Sequence, residues 1–430
     1  MSKPKAPYRK TEIAGRKLSP ETMMMSYGYS PQLSEWSIKA PVFLTSTFAF
    51  ESAEAGAAFF RVMGGRRQEG DPESAGLMYS RFNNPNIEVL EDRLTLFDHA
   101  EDAAVFSSGM GAISTTLMAL APAGSVVLHS TPLYGGTETL IRKVMPNFGI
   151  RNVDFFAAAE EAEVWTAAEE AMKLGPVTVI YTETPTNPTN DLVDLAMIRK
   201  IANRIGEKQG GKSPAVVVDN TFLGPVNQQP IDLGADILVY SLTKYVGGHS
   251  DLIAGAAMGR SDLMAKIRSL RSSIGTNLDP HTAWMLMRSL ETVTLRMNAA
   301  TENAKKVAEY LARHPKVEKV RYLGFLEPGS RSAKIHENQA KAAGSTFSFD
   351  VKGGQAGAFK FLNSLQVVKL AVSLGGTETL ICHPGSTTHA AVDPELQERC
   401  GYTPGMVRIS IGIEDPDDLI ADIGQALDQV

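Results

Sequence analysis

Four apolar residues at 237–240 run straight into Ser241-Leu242-Thr243-Lys244 and then Gly247-Gly248-His249. A buried strand of this kind ends in a loop at the carboxyl edge of a sheet, where α/β folds hold their ligands. The pattern therefore predicts a doubly wound fold that delivers a lysine into a site. Two hydroxyls, Ser241 and Thr243, stand three and one residues before that amine. They suit a phosphate held beside a lysine that forms a Schiff base with a carbonyl cofactor, the chemistry of pyridoxal 5′-phosphate (PLP). Taken alone, a solvated lysine after a strand explains the tetrapeptide equally well.

Three other segments supply what such a cofactor requires. The apolar run 215–218 ends in Asp219, a carboxylate placed to meet a pyridine nitrogen and keep the ring protonated as an electron sink. Residues 106–113, with Ser107-Ser108-Gly109-Met110-Gly111, open a helix predicted to run through Leu120. Free amides and the positive end of a helix dipole make that start a phosphate cup. Leu133-Tyr134-Gly135-Gly136-Thr137 follows a strand over 126–129, so Tyr134 can stack on a flat ring. Each has a plainer reading in isolation: a capping aspartate, a glycine-rich turn, a packing tyrosine.

In this chain order the segments resemble the Cys/Met-metabolism family of PLP-dependent enzymes, the trans-sulfuration enzymes. The family includes cystathionine γ-synthase, the cystathionine lyases, methionine γ-lyase and the O-acylhomoserine sulfhydrylases. The resemblance extends from about residue 40 onwards. Its further marks are Met78-Tyr79-Ser80-Arg81-Phe82-Asn83-Asn84-Pro85, Glu183-Thr184-Pro185-Thr186-Asn187-Pro188, Ser373-Leu374-Gly375-Gly376-Thr377-Glu378 and Arg408-Ile409-Ser410-Ile411-Gly412. It implies an aspartate aminotransferase-like fold, fold type I, with a mostly parallel large-domain sheet and a smaller α+β C-terminal domain. The implied division is an arm over 1–62 reaching the neighbouring subunit, a PLP-binding domain over 63–285 and a small domain over 286–430. The resemblance makes Lys244 the cofactor-bearing lysine and proton shuttle, and Tyr134 the stacking acid or base. Asp219 would pair with the pyridine nitrogen and Asn187 would approach the ring hydroxyl. Ser108, Gly109, Met110, Ser241 and Thr243 would hold the phosphate. Tyr79 and Arg81 would reach the phosphate of a neighbouring subunit, in a homotetramer built as a dimer of dimers. Arg408 would grip the substrate carboxylate, with Ser373 and Val372 beside it.

Composition agrees. With 430 residues, 43% of them hydrophobic, the chain can bury a large core and a smaller one. A net charge of −6, with no basic tract beyond segment 3–10, argues against nucleic acid or an anionic membrane as partner and for a small amino-acid substrate. No signal-like or membrane-spanning apolar run occurs, so a cytoplasmic location is expected. Cys382 and Cys400 are the only cysteines, which excludes a disulfide scaffold and gives no metal-site spacing. Helices are expected over 158–174, 280–313, 356–365 and 418–427. Strands are expected over 177–181, 317–322, 346–351 and 406–411, after an irregular arm over 1–60 and a polar loop over 64–76 near the site entrance. Met285, Met287 and Met297 read as core filler.

Departures from the family patterns bear on the reaction. Cystathionine γ-synthases and γ-lyases usually carry a glutamate where this chain has Val372 and an arginine where it has Thr139. A valine there suits an apolar γ-substituent such as thiomethyl, as in methionine γ-lyases. The block Cys382-His383-Pro384-Gly385 also resembles the methionine γ-lyase version. Against this, Gly136 stands where that enzyme has cysteine, and Arg271-Ser272 where it has a lysine-aspartate pair. The expected activity is γ-elimination from a methionine-type substrate. The alternatives are γ-replacement, as in cystathionine γ-synthase or an O-acylhomoserine sulfhydrylase, and cystathionine γ- or β-lysis. Outside that chemistry stand a non-catalytic PLP-binding module and a nucleotide-binding dehydrogenase. The dehydrogenase lacks its glycine fingerprint.

Overall fold

The computed structural model describes residues 8–430. Residues 1–7, which hold part of the expected arm and of the basic segment, lie outside the described residues. A short hairpin, β1 (Glu12–Ile13) and β2 (Arg16–Lys17), begins the described chain. Seven strands then build the larger sheet: β3 (Asp102–Phe106), β4 (Val126–Thr131), β5 (Arg151–Phe156), β6 (Val177–Glu183), β7 (Ala215–Asp219), β8 (Ile237–Ser241) and β9 (Gly255–Gly259). Their order is β3-β9-β8-β7-β6-β4-β5. All neighbours are parallel except the two pairs made by β9, with β3 and with β8.

The apolar runs of this sheet are continuous because both faces are covered. Val216, Val218, Leu238 and Tyr240 pack into one core, whereas Val217, Ile237 and Val239 pack into another on the opposite face. Since β4, β6, β7 and β8 run in the same direction, their carboxyl ends share one edge. β3, antiparallel to β9 as β8 is, brings Phe106 to that edge, with Phe106 and Ser241 both paired to Gly255.

Five strands form the smaller sheet: β10 (Val317–Arg321), β11 (Thr346–Val351), β12 (Lys369–Leu370), β13 (Leu380–Cys382) and β14 (Met406–Ser410), in the order β10-β11-β14-β13-β12. Only β12 and β13 are parallel. Helices Val293–Arg313, Gly354–Ser364 and Pro416–Leu427 cover its inner face around Phe347, Phe349 and Phe361. Met287 and Met297 are core residues, while Met285 is half-buried.

Two expectations are corrected. The single helix over 280–313 is two, Pro280–Leu290 and Val293–Arg313. Thr292 leaves helical geometry at φ −115°, ψ 7°. It begins a β-branched run, Thr292-Val293-Thr294, that loses side-chain freedom in a helix. The Arg296 guanidinium spans the break, donating to Ser289 O at 2.9 Å and to Thr292 Oγ1 at 3.2 Å. The arm is also less irregular than expected, because Ala53–Met63 is a helix whose Ser52 cap accepts the Ala55 amide. The polar loop after it is largely exposed and tied by an Arg61–Asp71 ion pair at 2.5 Å. Among the described residues no helix is long and apolar enough to cross a membrane.

Candidate active site

A cavity of about 290 Å³ opens at the carboxyl edge of the larger sheet and is closed on one side by residues of the smaller sheet. It gathers Ser108, Gly109, Met110, Tyr134, Asn187, Asp219, Ser241, Thr243, Lys244, Val372, Ser373 and Arg408 from segments spread over three hundred residues of sequence. Tyr79 and Arg81 are not among its walls. Tyr79 is 41% exposed, and Arg81 lies over the Phe82 ring at 4.4 Å while donating to Ser272 O.

Lys244 follows β8 by a turn in which its amide donates to Ser241 O at 3.1 Å. Its Nζ donates to Ser373 Oγ at 2.7 Å and pairs with no carboxylate among the described residues. Burial, assisted by the positive Arg408 nearby, lowers its pKa from 10.5 to about 8. Ser373 holds this contact from a left-handed backbone, φ 107°, costly for a residue other than glycine by on the order of 1–3 kcal/mol. Its carbonyl accepts Arg408 Nη2 at 2.9 Å. Arg408, 3% exposed on the central strand β14, also donates to Asn187 Oδ1 at 3.0 Å. Among the described residues no carboxylate neutralises it. A buried guanidinium without a carboxylate is a site awaiting an anion.

The acidic side is equally incomplete. Asp219 accepts from Thr221 Oγ1 at 2.6 Å, from the Thr221 amide at 3.1 Å and from Tyr181 OH at 3.3 Å, but meets no cation among the described residues. Glu183, its register partner on β6, accepts the Tyr134 amide at 2.9 Å and the Asn187 amide at 2.6 Å. Burial raises the pKa of Asp219, and burial with the Asp219 charge raises that of Glu183 well above the carboxylate range. A protonated ring nitrogen against Asp219 would supply the cation this pair lacks.

Ser108 caps helix Gly109–Leu120 by accepting the Gly111 amide at 2.9 Å. The amides of Gly109 and Met110 have no acceptor among the described residues. A Cβ on Gly109 would meet Ser241 Cβ at 2.9 Å, so only glycine lets the helix start close on that hydroxyl. The cup, the unpaired lysine and the unpaired carboxylate fit PLP. Thr243 lines the same wall with its hydroxyl donating to the Ala254 carbonyl and accepting the Ala254 amide, so to donate to a phosphate it would have to give up its bond to that carbonyl.

Sequence reading assigned no role to Glu183, Thr221, Ile253 or Thr388, all of which line the cavity. Glu183 carried the same signal as Asp219, a carboxylate ending an apolar strand. Thr221 joins two strand ends, accepting the Ser241 amide at 3.0 Å while its hydroxyl donates to Asp219. Arg271 is 2% exposed and bound to Glu91 Oε1 at 2.7 Å and Val105 O at 2.8 Å, away from the cavity.

Residues 21–428 match the model of the family described as Cys/Met metabolism PLP-dependent enzyme. An L-methionine gamma-lyase from Fusobacterium nucleatum subsp. polymorphum is 40% identical over 393 residues, 91% of this chain and 93% of that one. An O-succinylhomoserine sulfhydrylase from Pseudomonas aeruginosa is 34% identical over 90% of both chains. Among solved structures, one assigned as an O-acetylhomoserine (thiol)-lyase from Campylobacter jejuni, carrying a pyridoxyl-lysine phosphate, aligns with a TM-score of 0.86. It is 29% identical and covers 96% of this chain and all of that one. The chain belongs to the Cys/Met-metabolism family and is a PLP-dependent enzyme of fold type I.

Proposed function

We propose that this member of the family eliminates the γ-substituent of a methionine-type amino acid. With water, L-methionine would give methanethiol, 2-oxobutyrate and ammonia. The observation that carries the reading is the apolar mouth made by Val372, 55% exposed, and Ile253, 66% exposed, beside a lysine and an arginine that no acid neutralises. A thioether loses little on entering such a mouth, whereas these two side chains offer a charged distal group no hydrogen-bonding partner. The similarity to a methionine γ-lyase supports the same choice.

PLP supplies a protonated ring that withdraws electrons from the substrate Cα. Asp219 keeps that ring nitrogen protonated, and the amides of Gly109 and Met110, with Ser108, Ser241 and Thr243, hold the phosphate. Tyr134 would stack on the ring and Asn187 would approach its hydroxyl. Arg408 binds the substrate carboxylate through two parallel N–H donors, with Ser373 and Val372 flanking the substrate. Lys244, whose neutral form is brought within reach by a pKa lowered to about 8, takes the Cα proton and then a Cβ proton. Tyr134 protonates the departing sulfur. Tyr79 and Arg81, exposed on their own subunit, complete the phosphate site of a neighbouring one, in a homotetramer of paired dimers. The arm 1–62, the PLP-binding domain 63–285 and the small domain 286–430 are the working units, and the enzyme acts in the cytoplasm.

The similarity to a sulfhydrylase favours a second reading, replacement of the γ-substituent by a thiol. The test is turnover of the PLP-loaded protein on L-methionine, L-cystathionine and O-acetyl- or O-succinyl-homoserine, with and without cysteine or sulfide. Thiol-independent 2-oxobutyrate from methionine is expected. Activity confined to an acylhomoserine plus thiol would overturn elimination in favour of replacement.

A further inference from the structure

Glu183 lies at the end of β6, buried and without a cationic partner among the described residues. Its two oxygens serve two different loops. Oε2 accepts the amide of Tyr134, which opens the loop after β4, and Oε1 accepts the amide of Asn187, in the loop after β6. The Asn187 side chain in turn accepts Arg408 from the smaller sheet. A chain of hydrogen bonds, Tyr134–Glu183–Asn187–Arg408, thus runs from the backbone amide of Tyr134 to the Arg408 guanidinium.

We propose that Glu183 is a positioning residue that fixes the spacing between Tyr134 and the Asn187–Arg408 pair, so that a substrate held by its carboxylate lies in register with the stacking tyrosine and presents its Cα proton to Lys244. This deepens the function proposed above and rests on its assignment of Tyr134 and Arg408. The side-chain type follows from the task. Two inward-pointing N–H donors on separate loops need an acceptor each; the two oxygens of Glu183 supply them, whereas a glutamine of the same length must turn its NH2 toward one of them. Placing the carboxylate opposite Asp219 in register crowds two acids in a dry site, a disfavoured arrangement that a purely structural clamp has no reason to adopt. Gly136 keeps the other side of the ring clear, because a Cβ there would meet Tyr134 Cε1 at 2.6 Å. The ring is bounded by that backbone on one side, and Glu183 secures its own amide.

The test compares wild-type holoenzyme with Glu183→Gln and Glu183→Asp. Exchange of the Cα proton of L-norleucine with deuterated water is followed by NMR, together with the dissociation constant for PLP and the thermal midpoint. Norleucine has no leaving group, so the exchange is read whether or not the enzyme eliminates. Glu183→Gln turns an N–H toward one of the two amides, and exchange should slow by about tenfold or more, with amino-acid half-saturation raised and PLP affinity within about threefold of wild type. Exchange at the wild-type rate in Glu183→Gln overturns the proposal, even if the thermal midpoint falls. A loss confined to PLP affinity, with normal exchange at saturating PLP, also overturns it. Should Glu183→Gln not fold, Glu183→Asp decides: slowed exchange supports the proposal, and a wild-type rate overturns it. Exchange by a wild-type enzyme that eliminates nothing would retire the proposed reaction and leave the test of Glu183 intact.

Discussion

Glu91 and Arg271 are buried, and Arg268 half-buried, beside β3, much as Asp219, Glu183 and Arg408 are buried and Lys244 half-buried at the carboxyl edge of the same sheet. The first set neutralises itself. Arg268 binds Glu91 Oε2 and Arg271 binds Glu91 Oε1, each at 2.7 Å, and Arg268 also binds Asp102. Burial alone would raise the Glu91 pKa, but the two guanidinium groups hold it below its ordinary value. In the second set no acid touches a base directly. Its carboxylates are pushed up and its lysine is pushed down. Buried charge is therefore not in itself a mark of function. What marks the site is charge that the protein leaves for a ligand to complete. The contrast also disposes of Arg271, which the family pattern made a candidate for specificity. Its guanidinium is committed to Glu91.

The comparison is broken most severely by removing the unpaired lysine. Lys244→Ala should lower turnover by on the order of 10³-fold or more, since the variant loses its general base, and it should abolish the covalent PLP absorbance. Normal turnover in that variant would sink the mechanism. The two arginines should then separate cleanly. Arg408→Ala should cost about 100-fold in kcat/KM, the worth of a lost charge-assisted pair, with little change in thermal midpoint. Arg271→Ala should destabilise the fold by about 3 kcal/mol, by denaturant titration, and leave kcat/KM of the folded enzyme unchanged. Equal behaviour of the two variants would erase the distinction.

The smallest expected effect concerns pH. Only the neutral amine attacks an aldehyde, and the Lys244 pKa is about 8 rather than 10.5 because burial, then Arg408, disfavours its charge. The neutral fraction of Lys244 therefore rises through pH about 8. Association of PLP with the apoprotein should speed up with a midpoint there. A midpoint near that of an ordinary lysine would show that Lys244 is solvated and paired like the rest.

Four of the seven strands of the larger sheet, β4, β6, β7 and β8, were legible because each carries a local apolar run, whereas β3, β5 and β9, the last a Gly-Ala-Ala-Met-Gly stretch, were not read from the sequence. The apolar runs ending in Asp219 and Lys244 declare both a buried strand and the group at its carboxyl end, and period and composition are properties of neighbours in sequence. The break at Thr292 was not legible. Nothing short of the Arg296 guanidinium reaching back to Ser289 O distinguishes a split helix from one with a few β-branched residues. Helix Ala53–Met63 was missed for the opposite reason, because its alanine-rich signal was local but set among serines and prolines that read as an arm.

The sequence by itself determined the chemistry on offer: a lysine, a strand-end carboxylate, a glycine-rich helix start and an arginine, in an order that belongs to one family. Those are choices of residue type, written one position at a time. Tertiary structure alone decided which of them share a cavity, that Lys244 donates to Ser373 across 129 positions, and that Glu183 spans two loops while Arg271 turns away to Glu91. Whether a buried charge is paired depends on what the fold brings within 3 to 4 Å of it, a distance that chain separation does not encode.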